Sequence, residues 1–163
     1  MPNPAFMTLE GTKQGAIKGD CPIASMEREN NIVVQAVEHE VTLPTDAATG
    51  RSTGKRIHKA FSILKEQDKA SPLLYQALCT NELLPTVKIR WFRPNPAGDG
   101  TEEQYFTTEL TDAYITSVSP YMPNCMNPNN QAEGHMEKVS FRYRKIVWRH
   151  EGAGTESQDD WNA

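Results

Sequence analysis

Residues 137–150, EKVSFRYRKIVWRH, constrain the fold more than any other stretch. Val139, Phe141 and Tyr143 alternate with Ser140, Arg142 and Arg144. A period of two marks a pleated strand, because successive side chains point to opposite faces. Lys145 then stands where an apolar residue is due, and Ile146 and Trp148 carry the apolar face on at even positions. A one-residue slip inside a strong strand predicts a bulge near Arg144–Lys145, bending the strand to suit a closed or strongly curved sheet. One face is expected to be buried, and the other to meet water or a polar partner. The stretch therefore reads as the central strand of a β-barrel or sandwich.

Strand-like runs recur along the chain. Phe6–Leu9 is a short strand, and Gly11, Gly15 and Gly19 break the residues that follow into turns. A long strand is predicted from Ile32 to Leu43, with Val33, Val37, His39, Val41 and Leu43 on one face and Val34, Glu38, Glu40 and Thr42 on the other. Ala60–Lys65 places Phe61 and Ile63 together, and Thr86–Arg93 places Val87, Ile89 and Trp91 together. PNPAGDG at 94–100 is a turn cluster, with Glu103–Leu110 as the returning hairpin strand and Asp112–Ser119 as a further strand. Ser71-Pro72 opens the one convincing helix, Ser as N-cap and Pro at the first helical position. Its apolar stripe is Leu73, Leu74, Ala77 and Leu78, and Asn81 can end it. Such a helix plugs a barrel. Strands at this spacing with one helix predict a mainly β domain over 1–163, with 151–163 as a flexible tail in which Trp161 alone can dock.

Two long stretches have no periodicity. Residues 121–134 form a loop rich in Asn and Pro. Residues 44–59, PTDAATGRSTGKRIHK, combine hydroxyl, basic and glycine residues, and structureless segments of that length are uncommon in compact domains unless they do a job. This second stretch reads as a mobile hairpin loop or as an arm reaching toward another molecule. Periodicity alone does not choose between them.

The chemistry that a catalyst needs does not assemble. Glu38-His39-Glu40 is the most enzyme-like cluster, but in a strand His39 points away from both glutamates, which favours a satisfied core or interface histidine. His58, His135 and His150 lack spaced partners, and Gly50–Lys55 lacks the spacing of a phosphate-cradling loop. The carboxylate pairs Glu102/Glu103 and Asp159/Asp160 read as solvated, as do Arg142 and Arg144 on the wet side of a strand. No catalytic, cofactor or metal site is predicted.

Composition supports this. An apolar fraction of 37% is low for a self-contained enzyme, and a net charge of −4 disfavours nucleic acid and suits plain solubility. Cys21, Cys79 and Cys125 are odd in number and far apart, which predicts free thiols rather than a zinc site. The N-terminal residues lack the pattern of a secretory signal and no run reaches membrane-spanning length, so synthesis in the cytoplasm without membrane insertion is expected.

These segments together resemble the haemolysin-coregulated protein (Hcp) family of the bacterial type VI secretion system. The resemblance is carried by FMTLEG at 6–11, EHEVTLPTD at 38–46 and GKRIHKAFSILKEQDKASPLLYQAL at 54–78. IRWFRPNPAGDGTEEQYFTTEL at 89–110, VSFRYRKIVWRHEGAG at 139–154 and DDW at 159–161 extend it over nearly the whole chain. Ala60 and Leu64 depart from the family's habit of Pro and Thr or another β-former.

The resemblance implies a β-barrel formed by two antiparallel sheets with a flanking helix, assembled as a six-membered ring. Such rings stack into a tube, capped by a valine–glycine-repeat spike protein, which a contractile sheath drives out of the cell. It implies no enzymatic activity, small effectors carried in the lumen, and export without a signal peptide. The arm at 44–59 would then contact the adjacent ring through Thr45, Asp46, Thr49, Gly50, Arg51, Ser52, Lys55, Arg56 and His58. Two competing readings are a monomeric β-barrel holding a small ligand and an enzyme built on His39. The first needs an apolar cavity, whereas Trp91, Phe141 and Trp148 are expected to fill the interior.

Overall fold

The computed structural model describes residues 3–160. The chain enters through β1 (Ala5–Gly11) and β2 (Gly15–Ile17), then β3 (Ile32–Val34), β4 (Ala36–Glu38) and β5 (Val41–Thr42). β6 (Ile57–His58) and β7 (Phe61–Glu66) precede the one α-helix among the described residues, α1 (Ser71–Cys79). β8 (Leu84–Pro94), β9 (Glu102–Tyr121), β10 (Met136–Arg142), β11 (Lys145–His150) and β12 (Thr155–Asp160) complete the order. The fold is mainly β, as expected, and its strands pair antiparallel.

β9 is the spine. The two predicted strands at 103–119 are one strand, turned at Asp112, whose φ of 51° lies in the left-handed region. Before the turn, residues 106–111 pair with β11, and after it, residues 114–121 pair with β10. β8 lies along the other side. The stretch 137–150 is therefore not one bulged strand but two strands meeting at a corner, both laid against β9. Backbone N–H of Arg144 donates to the Thr111 carbonyl at 3.1 Å, so the corner sits beside the turn in β9. The slip in the pattern marks this corner; the register irregularity itself lies at Ser140/Phe141.

Residues 32–38 join the two edges of the sheet. β3 pairs with β1, β4 pairs with β7, and the Gln35 N–H donates to the Leu64 carbonyl at 2.8 Å between them. The predicted strand 32–43 is thus broken, and its expected inner face is wrong at both ends. Ile32 and Val34 are the buried residues, while Val41 and Leu43 are exposed. Crossing from β1 to β7 at Gln35 resets the phase, which a single alternation cannot describe.

The interior is filled by Met7, Ile32, Ile63, Val87, Ile89, Leu110, Val139 and Phe141, all at most 1% exposed. Burying a side chain of that kind contributes roughly 1.5–3 kcal/mol. Trp91 and Trp148 only flank this core, and Phe92 is buried in a separate small cluster with Phe6 and Cys21.

α1 packs Leu74 and Ala77 into the core, with Leu73 and Leu78 partly covered. Ser71 is not its N-cap; Ala70 holds that position, and the Asp68 carboxylate accepts from the Ala70 N–H at 2.9 Å. The Ser71 hydroxyl turns inward and donates to Glu137 Oε1 at 2.6 Å. Lys65 Nζ, on β7, meets the same Glu137 carboxylate and lies 3.0 Å from Asp68. Lys65 and Glu137 are both 0% exposed, so an ion pair inside the barrel wall ties the entry of α1 to β7 and β10.

Residues 155–160, expected in a flexible tail, form β12 along the whole length of β11. Trp161 lies outside the described residues. No helix among the described residues is long and apolar enough to cross a membrane.

Candidate functional site

The stretch at 44–59, with the strands at its base, forms a self-paired hairpin, an arm in outline only. β5 and β6 pair with each other and with no other strand among the described residues, Val41 opposite His58 and Thr42 opposite Ile57. A bridge between Thr45 and Ser52 continues the arm toward its tip. Short-range chemistry builds that tip. The Asp46 N–H donates to the Arg51 carbonyl at 2.8 Å, and the Gly50 N–H to the Asp46 carbonyl at 2.7 Å. Gly50 adopts φ of 70°, a conformation that glycine reaches without steric cost. The Asp46 carboxylate accepts from the Ala48 N–H at 2.9 Å and the Thr49 hydroxyl at 3.0 Å. Those two donors hold its pKa below the ordinary carboxylate value, the backbone bond contributing most.

At its base the arm is clamped to β12. Arg56 Nε and Nη2 donate to the two Asp159 carboxylate oxygens at 2.9 and 3.0 Å, and Nη2 also reaches the Asp160 carbonyl at 3.1 Å. His58 Nε2 lies 2.6 Å from Asp159 Oδ2. His58 Nδ1 lies 2.6 Å from the Tyr143 hydroxyl, and His39 Nε2 lies 2.7 Å from the same hydroxyl. Proton counting orders this chain. An ionised Asp159 only accepts, so His58 Nε2 carries a proton; in neutral His58, Nδ1 accepts from Tyr143, whose oxygen then accepts from His39 Nε2.

The electrostatics follow. Arg56 first, then His58, lowers the Asp159 pKa, and Asp159 raises that of Arg56. Burial raises the Tyr143 phenol, with the Asp159 charge adding to it. Burial first, then the neighbouring His58, lowers His39.

The nine residues predicted for the arm divide between two places. Thr45, Asp46, Thr49, Gly50, Arg51, Ser52 and Lys55 lie on the free part, and Arg51 and Lys55 are exposed without a salt bridge among the described residues. Arg56 and His58 instead face their own chain's Asp159, and His58 is buried. The sequence reading missed His39, Tyr143 and Asp159 as anchors. They lie 85–104 residues from their partners, beyond any local pattern.

His39 is a satisfied histidine, as the alternation suggested: it bonds Tyr143 and lies 5.1 Å from the Phe61 ring of its own chain. Its neighbours disperse, Glu38 to Lys138 at 3.4 Å and Glu40 to Lys59 at 2.9 Å. No group of three or more His, Cys, Asp or Glu among the described residues is placed to hold a metal ion. A concavity of about 600 Å³ is an open surface groove beside the β9 turn, bordered by Asp112, Tyr114, Arg142 and Arg144.

Comparison with known proteins agrees with this architecture. The family described as "Type VI secretion system effector, Hcp" matches residues 6–150. The major exported protein of Pseudomonas aeruginosa strain PAO1 is 44% identical over 170 aligned positions, covering 100% of this chain and 98% of that protein. A crystal structure of an Hcp protein superposes with a TM-score of 0.88 at 41% identity, covering 97% of both chains. A secreted Hcp protein of Pseudomonas aeruginosa gives a TM-score of 0.78 at 39% identity, covering 98% of this chain and 99% of the other. The chain thus belongs to the Hcp family of type VI secretion proteins.

Proposed function

We propose that the protein is a structural subunit of the type VI secretion tube: it assembles into six-membered rings that stack end to end, carry small effectors in the lumen, and leave the cell when the sheath contracts. The valine–glycine-repeat spike protein caps the tube. One observation carries the reading. A self-paired, hydrogen-bonded arm stands off a filled barrel and is clamped at its base by Arg56 and His58. A ligand-binding barrel has no use for such a feature, and a stacking ring needs one. Export of the related major exported protein, by its name, supports secretion of this chain. The protein acts by assembly rather than by catalysis.

Replacing residues 46–55 with a short Gly-Ser linker tests this reading. Rings should persist, while tubes and secretion are lost. Normal secretion from that variant overturns the role of the arm.

A further inference from the structure

The turn between β1 and β2 is tied to the segment that links α1 to β8, the Thr12 N–H donating to the Leu83 carbonyl at 3.1 Å. α1 closes there in a Schellman arrangement. The Asn81 N–H donates to the Leu78 carbonyl at 3.2 Å, the Glu82 N–H donates to the Ala77 carbonyl at 2.9 Å, and Asn81 takes φ of 52°. The residue after the left-handed one in this motif usually packs an apolar side chain back onto the helix. Here that residue is Glu82, and it is only 2% exposed. Gly11 of β1 makes the room: a Cβ there would overlap Glu82 Oε2 and come 2.8 Å from its Cδ. The carboxylate therefore sits against bare backbone, in the place of an apolar residue.

Among the described residues nothing balances its charge. Glu82 Oε2 accepts only from Gln14 Nε2, at 3.4 Å, and Glu82 Oε1 has no hydrogen-bond partner. Gln14 Nε2 also donates to the Leu73 carbonyl at 3.1 Å. Those two bonds fix the amide's orientation and leave Gln14 Oε1 buried and unpaired as well. Two touching groups thus each present a buried oxygen to no donor. Burying an unpaired carboxylate is costly, and the negative end of the α1 dipole makes this position costlier still. A water molecule could satisfy a lone pair but would bring no positive charge.

We infer that Glu82 and Gln14 hold a small, singly charged cation of the sodium class, with Glu82 Oε1 and Gln14 Oε1 as its protein ligands. Carboxylate and amide oxygens are hard donors, which suit alkali and alkaline-earth ions rather than soft transition metals. Charge decides between the first two. A single buried carboxylate neutralises one positive charge, whereas a divalent ion would leave an excess in the interior. The bound ion joins the β1–β2 turn to the end of α1 and the entry of β8. The site lies within one subunit and is independent of the tube reading.

Urea unfolding of the full chain tests the site, at fixed protein concentration and fixed ionic strength, with sodium chloride replaced stepwise by N-methylglucamine chloride. An ion bound only by the folded state stabilises it by mass action, so at saturating levels the folding constant should rise about tenfold for each tenfold rise in sodium. Glu82→Gln keeps the shape and removes the charge, and its sodium dependence should vanish. Gln14→Ala, at a half-buried turn position, should fold and need more sodium for the same effect. It decides the matter alone if Glu82→Gln does not fold. No sodium dependence in the unaltered protein overturns the proposal, as does a dependence left unchanged by either variant. A response to calcium chloride without one to sodium overturns the singly charged ion.

Discussion

Arg144 Nε donates to Asp112 Oδ2 at 2.9 Å, fastening the corner between β10 and β11 to the turn in the strand that both of them pair with. Arg144 also reaches Asp160 at the end of β12. The barrel corner, the spine and the last strand therefore meet at one guanidinium, and the arm's anchor Asp159 is the next residue along β12.

The Asp112–Arg144 pair is more than one-third exposed on both sides, so the ion pair itself is worth at most about 1 kcal/mol. The backbone is the larger part. Asp tolerates φ of 51° and a β-branched residue does not. Asp112→Val should lower stability by about 1–3 kcal/mol, and Asp112→Asn by less than about 1 kcal/mol. Urea denaturation of the two variants checks this, and equal losses would contradict it.

Lys65 and Glu137 make a sharper case. Both are fully buried, so removing Lys65 strands the Glu137 carboxylate, at a cost of about 3–5 kcal/mol, and removing Glu137 leaves the buried Lys65 with Asp68 alone, 3.0 Å away. Lys65→Met and Glu137→Leu should each be strongly destabilising, and the double variant should recover most of the loss. A double-mutant cycle with purely additive losses would show that the two groups do not depend on each other.

Much of this was legible in the sequence, and the misses have physical causes. Val139, Phe141 and Tyr143 are all buried because a two-residue period maps directly onto a core-facing strand. The slip at Lys145 was visible, but a phase break does not name the partner, and the partner here is the turn at Asp112 in another strand. Residues 155–160, TESQDD, contain no apolar residue, so hydrophobic periodicity was silent about β12. That strand is held by its ladder with β11 and by Arg56, Arg144 and Arg149. Glu137 read as an ordinary polar position because its cation lies 72 residues earlier. The stretch at 44–59 stood out by its lack of pattern, and its anchors did not, since His39, Tyr143 and Asp159 come together only in the folded barrel.

The arm's base should loosen in acid. His39 is held below its ordinary pKa of 6.5 by burial and by His58, and Asp159 below its ordinary 3.8 by Arg56 and His58. In both, the folded state binds fewer protons than the unfolded chain, so stability rises with pH. The His39 contribution is complete above 6.5 and declines below it. The Asp159 contribution is complete above 3.8 and declines below it. Amide exchange in residues 41–58, corrected for intrinsic rates, should quicken relative to β10 as pH falls from about 7 to 5. Unchanged relative protection over that range would contradict the clamp.

The central claim is assembly, and the solution mass of the purified protein tests it most directly. Light scattering coupled to size exclusion, with negative-stain images of the same peak, should give about six times 18.3 kDa and a particle with a central hole. A clean monomer of 18.3 kDa with a solid particle would contradict the ring and, with it, the tube.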